Sequence, residues 1–236
     1  MSNLIKTAVI AGTPVDTQMG VEYIERKMQE AGTEPGFLPL YCPVSLDCDE
    51  QVRFQYSDDD EKRAIIDSLF NAAIGEGTRD FFIYCNSLSG SFDFDIYALK
   101  KSIETGKDIR IYTPLQVYRS LGSEFGRVGV MAANNLSAHA IEEALMASSP
   151  DVYAIGTGNM AIVRMIEDGV DPEEIVECCG LEEMAKYMEA CGAEAIVLGC
   201  THFPYFKDQL AERTGLQLID PADRMFEALV KATRQM

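Results

Sequence analysis

Two short stretches of the chain place a cysteine directly after an apolar run. In "DFFIYCNSLSG" (80–90) the thiol belongs to Cys85, and in "AIVLGCTHFP" (195–204) it belongs to Cys200. The polar residues that follow the two cysteines are Asn86, Ser87, Thr201 and His202. A thiol has a reference pKa of about 8.5, which its surroundings can bring close to the working pH. Each cysteine is therefore a candidate acid or base in a proton-transfer reaction.

Two thiols on opposite sides of one carbon atom suit a particular reaction. One thiolate removes a proton from one face of the carbon, the other thiol delivers a proton to the opposite face, and the roles exchange in the reverse direction. Hydrogen bonds from Asn86, Ser87 and Thr201 can hold a substrate carboxylate at the same time. For either turn taken alone, the alternative interpretation is a buried cysteine that only fills the core.

The elements that position these turns follow from the alternation of apolar runs and amphipathic patterns. Strands are predicted at 6–12, 36–42, 80–85, 108–113, 127–132, 151–156 and 194–199. Helices are predicted near 20–32, 57–77, 92–106, 114–121, 136–147, 158–168, 181–191, 203–214 and 222–234. This alternation predicts an α/β fold with parallel sheets and helices on both faces. Ligands bind beyond the carboxyl ends of such strands, which is where both cysteines fall.

The charge of the 236-residue chain limits its partners. The formal net charge is −18, from 38 acidic and 20 basic residues. Neither nucleic acid nor an anionic membrane surface attracts a strongly negative protein, so we expect neither as a partner. No apolar stretch approaches the roughly 20 residues that span a bilayer, and the N-terminus lacks the apolar core of a signal peptide. We therefore expect a cytoplasmic protein.

The cysteines do not follow a disulfide or zinc pattern. Their odd number, seven, and the absence of a secretory signal argue against a disulfide framework. No two cysteines have the C-x₂₋₄-C spacing of a zinc site, and a single residue separates Cys200 from His202, so we expect no metal. His139 falls in a predicted helix and is interpreted as a packing residue.

Several motifs resemble those of a known family. "AVIAGTPVDTQMG" (8–20) is similar to a strand followed by Asp-Ser-Gly-x-Gly, with Asp16, Thr17 and Gly20 at the matching positions. The strand before Cys-Asn-Ser, the "LGCTHFP" turn and "LIDPADRMFEAL" (218–229) complete the similarity. In these features the sequence resembles the aspartate/glutamate racemases, which are cofactor-independent enzymes with two catalytic cysteines.

The resemblance implies a fold and a set of residue roles. The fold would be two pseudo-symmetric three-layer α/β domains with parallel sheets, residues 1–95 plus 205–236 and residues 96–204, with the active site in the cleft between them. Cys85 and Cys200 would be the acid/base thiols, with Asp16 and His202 as auxiliary groups. The residues expected to hold a small amino acid substrate are Thr17, Asn86, Ser87 and Thr201. The resemblance implies no cofactor. Members of the family are often dimeric, so a homodimer is one possible state, and the sequence leaves monomer and dimer open.

Two departures from the family leave the substrate side chain open. The family's Pro-Tyr-Gly turn is absent from "LYCPVSLDCDEQVRFQYSD" (40–58), and its Ala-Thr-x-x-Thr turn is replaced in "VGVMAANNLSAH" (128–139). There Asn134 and Asn135 follow Ala133, and asparagine side chains can also donate to a carboxylate. Aspartate, glutamate and a less usual amino acid all stay open as substrates.

The activity itself also has alternatives. The sequence predicts an amino acid racemase, because relatives with other activities often lack one of the two cysteines and this chain retains both. An isomerase, lyase or decarboxylase of the same fold is the first alternative. A catalytically silent amino-acid-binding protein is the second, motivated by the two altered turns.

Overall fold

Two parallel sheets of identical strand order form the framework of the protein. The computed structural model describes residues 5–32 and 36–234, and within them each sheet has four strands. The first sheet contains β1 (Ile5–Ala11), β2 (Phe37–Pro43), β3 (Asp80–Ile83) and β4 (Arg110–Tyr112) in the order β2-β1-β3-β4. The second contains β5 (Arg127–Ala132), β6 (Tyr153–Gly158), β7 (Ala195–Gly199) and β8 (Gln217–Ile219) in the order β6-β5-β7-β8. The predicted α/β fold with parallel sheets is confirmed.

Helices connect the strands throughout the described residues. They are α1 (Pro14–Ala31), α2 (Cys48–Tyr56), α3 (Asp59–Gly75), α4 (Asn86–Ser91), α5 (Phe94–Thr105), α6 (Pro114–Leu121), α7 (Asn135–Ser148), α8 (Met160–Glu167), α9 (Pro172–Cys178), α10 (Leu181–Ala190), α11 (Lys207–Ala211) and α12 (Pro221–Thr233). A short 3-10 turn covers Phe203–Phe206. Among the described residues no helix combines the length and the apolar character needed to cross a bilayer.

The chain divides into two compact units, each built around one sheet. The first unit runs to Pro114 and resumes at Ala222, and the second is Leu115–Pro221. The boundaries predicted from the sequence, near residues 95 and 204, fall earlier in the chain. The difference arises because the short strand β4 pairs with β3, and β8 with β7, so each completes the sheet that precedes it.

Strand register brings specific turns together in each unit. Ile10 of β1 is paired with Ile83 of β3, so the turns that follow these two strands are neighbours at one edge of the first sheet. In the second sheet Ala132 of β5 is paired with Gly199 of β7. The four residues of β3 and the five of β7 are all buried, as expected for central strands covered on both faces.

The two cores are filled by different side chains. In the first unit the rings of Phe70 and Phe81 stack with their centroids 3.9 Å apart, and Phe226 of α12 packs edge-on against Tyr23 of α1. The second core is largely aliphatic, and Cys200 belongs to it together with residues of α8 to α10. Cys200 is thus partly a packing residue, which a thiol suits because it is small and weakly polar.

Gly20 is required by the packing of α1 on the first sheet. A Cβ atom built at this position would lie 2.7 Å from Cγ1 of Val9 and 2.9 Å from Cβ of Tyr84. Both distances are far below ordinary van der Waals contact, so the helix could keep its place only if the core shifted. The glycine that the sequence matched to a family motif therefore serves close approach of a helix to a strand.

We predict that Gly20→Ala lowers the free energy of unfolding by on the order of 1–3 kcal/mol, the usual cost of overpacking a core. The matched control is Gly75→Ala in α3, where an added Cβ has no atom within 4 Å, and which we expect to be neutral or slightly stabilising. Urea denaturation of both variants measures the difference. An unchanged midpoint for Gly20→Ala would contradict the close-approach argument.

Candidate active site

Cys85 lies just past the end of β3 and begins the turn into α4. Its side chain is buried, with 4% of the residue exposed. Its sulfur lies 3.3 Å from Oγ of Ser87 and 3.4 Å from Nε2 of Gln51. The backbone N–H groups of Gly12 and Leu88 also donate to it. The thiol is therefore surrounded by hydrogen-bond donors although little water reaches it.

Burial and charge act on this thiol in the same direction. Burial raises the pKa of Cys85 to about 11, and the negative charge of Asp16 contributes to the increase. The hydrogen bonds from Ser87, Leu88 and Gly12 act in the opposite direction, because they favour the thiolate. At neutral pH Cys85 is thus a protonated thiol that can give up its proton.

Asp16 and Thr17 lie in the first turn of α1, which begins earlier than the helix predicted from residue 20. Thr13 caps this helix: its Oγ1 accepts from the backbone N–H of Asp16 and donates to Oδ2 of Asp16, both at 3.2 Å. The cap fixes the Asp16 carboxylate near the end of β1. Thr17 is 0% exposed and its hydroxyl donates to the carbonyl of Thr13 at 2.7 Å, so it holds the turn together.

Gln51 is a site residue that the sequence did not indicate. It belongs to α2, a helix in a region where no element was predicted, and its Nε2 reaches both Cys85 and Oγ of Ser87, the latter at 3.2 Å. The contact spans more than thirty positions of sequence, and no local pattern around Gln51 signals it. Asn86, also predicted as a site residue, is buried at the start of α4.

Cys200 follows β7 and has a histidine as its neighbour. Its residue is 9% exposed, and its sulfur lies 3.6 Å from Nδ1 of His202. Nε2 of the same imidazole lies 3.5 Å from Oε1 of Glu167 at the end of α8. Thiol, imidazole and carboxylate thus form a row in which the carboxylate orients the ring that faces the thiol. Glu167 was not predicted, because only the fold brings it to His202.

Tyr118 of α6 is a further group near Cys200. It is fully buried, and its pKa is raised well above the usual value by burial and by the negative charges of Asp220 and of the Cys200 thiolate. The phenol of Tyr118 therefore stays protonated at neutral pH.

The predicted carboxylate-binding residues of the second unit lie on two neighbouring turns. Asn134 caps α7, and its Oδ1 accepts from the backbone N–H of Ser137 at 2.8 Å. This capping hydrogen bond uses the side-chain carbonyl oxygen of Asn134 and not its NH₂ group. Asn135 is exposed and Thr201 half-buried. The register of β5 and β7 places the turn of the asparagines beside the turn that carries Cys200 and Thr201.

The two units therefore carry corresponding sites. In each, a cap residue follows the first strand of the unit, Thr13 after β1 and Asn134 after β5, and a buried cysteine follows the third. The groups around the cysteines differ: Cys85 has hydrogen-bond donors and a nearby carboxylate, and Cys200 has an imidazole. Across residues 5–32 and 36–234, no cluster of three or more His, Cys, Asp or Glu side chains is arranged to hold a metal ion.

The charge of Asp16 gives a test of the first site. We predict that Asp16→Asn lowers the pKa of Cys85, because it removes a negative charge that disfavours the thiolate, while Asn keeps an oxygen that Thr13 can donate to. Alkylation of Cys85 by iodoacetamide should then be faster, about tenfold for each unit of pKa. Trypsin releases residues 80–100 as a peptide whose one cysteine is Cys85, so mass spectrometry follows this thiol alone. Asp60→Asn, at the exposed start of α3, is the control, and equal rates for the two variants would contradict the prediction.

Comparison with known proteins links the chain to racemases by sequence. A family model described as Asp/Glu/Hydantoin racemase matches residues 114–229. A glutamate racemase of Acidothermus cellulolyticus is 24% identical over 161 residues, which are 66% of this chain and 58% of that enzyme. The chain therefore spans less than two thirds of the length of this relative.

Solved structures extend the likeness in fold. A glutamate racemase of Francisella tularensis, solved with D-glutamate, has a TM-score of 0.70 at 18% identity, covering 100% of this chain and 82% of that one. An aspartate racemase of Picrophilus torridus has a TM-score of 0.68 at 13% identity, covering 97% of this chain and 94% of that one. Over residues 114–229 the sequence matches the Asp/Glu/Hydantoin racemase model, and over nearly the whole chain the fold is similar to the folds of a glutamate racemase and an aspartate racemase.

Proposed function

We propose that the protein is an amino acid racemase that uses Cys85 and Cys200 as acid and base on opposite faces of the substrate α-carbon. The observation that carries this proposal is the correspondence of the two sites. Each sheet of the same strand order ends its third strand, β3 or β7, in a buried cysteine with proton-active or hydrogen-bonding neighbours. The glutamate and aspartate racemases among its relatives support the same reaction class.

In one direction Cys200 acts as the base. Nδ1 of His202 takes the proton of the thiol, and Glu167 orients the imidazole that then carries a positive charge. The thiolate removes the α-proton, which leaves the electron pair on the α-carbon. Cys85, protonated at neutral pH because its pKa is about 11, delivers its proton to the opposite face and becomes a thiolate. One proton leaves the substrate and one enters it, so the reaction balances.

In the other direction the roles exchange. The Cys85 thiolate is a strong base because its conjugate thiol has a raised pKa, and the donors from Gly12, Leu88 and Ser87 make this anion attainable in a buried position. Cys200 then gives the proton to the opposite face of the carbon. The proposed reaction uses only side chains of this protein and requires no cofactor.

The substrate would be held through its carboxylate by the polar groups that border the thiols. We propose donors from Asn86 and the backbone N–H of Ser87, in the first turn of α4, and from Thr201, Asn134 and Asn135 in the second unit. Thr17 acts indirectly, since its hydroxyl holds the turn that carries Asp16. Aspartate, glutamate and a less usual side chain stay as candidate substrates, because the turns that contact the substrate in glutamate racemases differ here.

Incubation of L- and D-amino acids with the protein in deuterated water, followed by proton NMR and chiral analysis, tests the proposal. We expect loss of the α-proton signal and appearance of the opposite enantiomer for at least one amino acid without added cofactor. Exchange without inversion would indicate a one-base isomerase or lyase. Binding without exchange would indicate an amino-acid-binding protein.

Single-cysteine variants separate the two roles. We predict that Cys85→Ser and Cys200→Ser each lose racemisation by about 10²–10⁴-fold, the usual contribution of one general acid or base. Each variant should still exchange the α-proton of one enantiomer, and of opposite enantiomers in the two cases, because one thiol remains to remove and return a proton on its own face. Cys178→Ser, at an exposed thiol in α9, is the control and should behave as the unaltered protein. If both single variants kept full racemisation, the two-thiol mechanism would be wrong.

A further inference from the structure

The side-chain amide of Gln51 is placed at the sulfur of Cys85. Its Nε2 lies 3.4 Å from Sγ of Cys85 and 3.2 Å from Oγ of Ser87, which itself lies 3.3 Å from the same sulfur. An amide NH₂ group has two protons to donate, so it can serve both acceptors at once. Gln51 is half-buried and the thiol is buried, so the contact is partly shielded from bulk water.

The backbone of the first turn makes room for this amide. A Cβ atom added to Gly12 would lie 2.0 Å from Nε2 of Gln51 and 2.3 Å from its Cδ. Every other residue type at position 12 would therefore displace the amide or be displaced by it. The need for glycine here comes from the side chain of Gln51, since the backbone of Gly12 is not in the left-handed region.

The helix that carries Gln51 is tied to the same glycine. Ser45 donates to the carbonyl of Gly12 through both its backbone N–H, at 3.0 Å, and its hydroxyl. Asp47 then caps α2, its side chain accepting from the N–H of Glu50 at 2.8 Å. Gly12 thus has contacts on both sides: its carbonyl accepts from Ser45, just before α2, and its N–H donates to the sulfur of Cys85.

The first unit needs such a donor more than the second. The chain has two histidines, His139 and His202, and both lie in the second unit. Cys200 can pass its proton to an imidazole, whereas Cys85 has to carry a negative charge in a buried position with no imidazole from its own unit. Neutral hydrogen-bond donors are then the means by which the first unit can stabilise the anion.

We propose that Gln51 is a positioning residue for Cys85: its amide donates to the sulfur and stabilises the thiolate, and it keeps Ser87 in place to do the same. The catalytic meaning of this role rests on the proposed function, in which Cys85 alternates between thiol and thiolate. The hydrogen bond itself is a property of the protein without substrate, and it can be measured without any turnover.

The charged groups around the thiol remain the same when Gln51 is replaced. Asp16 in α1 raises the pKa of Cys85, and α4 carries no charged residue. On α2, the side chain of Glu50 accepts from the N–H of Leu46, and Asp49 and Arg53 are exposed. A change in the ionisation of Cys85 on neutral replacement of Gln51 therefore reports the amide contact.

The test measures alkylation of Cys85 by iodoacetamide between about pH 7 and about pH 9, where the rate follows the thiolate fraction. In the tryptic peptide 80–100, Cys85 is the one cysteine. We expect Gln51→Met, which keeps the length of the side chain but cannot donate, to slow the reaction about tenfold, as for a pKa raised by about one unit. Gln55→Met, one turn further along α2, is the matched control and should leave the rate unchanged.

Gln51→Glu distinguishes stabilisation of the anion from simple access of the reagent. Glutamate has the size of glutamine but brings a negative charge, so we expect it to slow alkylation more than Gln51→Met does. If access alone mattered, the two variants would react alike. Equal or faster alkylation of Gln51→Met than of the unaltered protein, with circular dichroism unchanged, would overturn the proposal.

The outcome can be separated from that of the proposed function. Slower alkylation of Gln51→Met in a protein that exchanges no amino acid α-proton would support the hydrogen bond and reject racemisation. An active racemase whose Cys85 reacts at the same rate with and without the Gln51 amide would reject the role of Gln51 and leave the racemase assignment intact.

Discussion

The site depends on one physical constraint, which is the cost of placing a negative charge on a buried sulfur. Burial excludes water and disfavours the thiolate, so a cysteine in such a position stays protonated unless neighbouring groups favour its anion. For Cys85 this cost is visible in a pKa of about 11. A buried thiol holds its proton at neutral pH and, once deprotonated, is a strong base. Both properties are needed for a proton to be moved to and from carbon.

The two units meet this constraint with different chemistry on the same framework. The two sheets have the same strand order, and in each the cysteine follows the third strand in sequence. Strand register places the turn capped by Thr13 beside Cys85 and the turn capped by Asn134 beside Cys200. At Cys85 the neighbours are neutral donors from backbone amides, Ser87 and Gln51. At Cys200 the neighbour is His202, whose imidazole in turn faces Glu167. In the proposed reaction the two sites transfer a proton in opposite directions, and this does not require the two thiols to have equal proton affinities.

The sequence predicted the features that depend on residues close together in the chain. The alternation of apolar runs and helices indicated parallel sheets, and the polar residues after 80–85 and 194–199 indicated where the thiols lie. Gln51 and Glu167 could not be found in this way, because each reaches its cysteine site from a helix distant in the chain. The unit boundaries also differed, since β4 and β8 have three residues each and depend on pairing with a neighbouring strand rather than on an apolar run of their own. The prediction for Thr17 stays untested, although its hydroxyl is engaged within α1.

The central claim is that two separate thiols handle the proton, one on each face of the carbon. The isotope content of the first product formed from a protiated amino acid in deuterated water tests it most directly. The account predicts that the inverted enantiomer carries solvent deuterium at its α-carbon from its earliest appearance, while the recovered starting enantiomer remains protiated. An inverted product that retains the substrate's own proton would contradict it, since a single group would then have carried that proton from one face to the other.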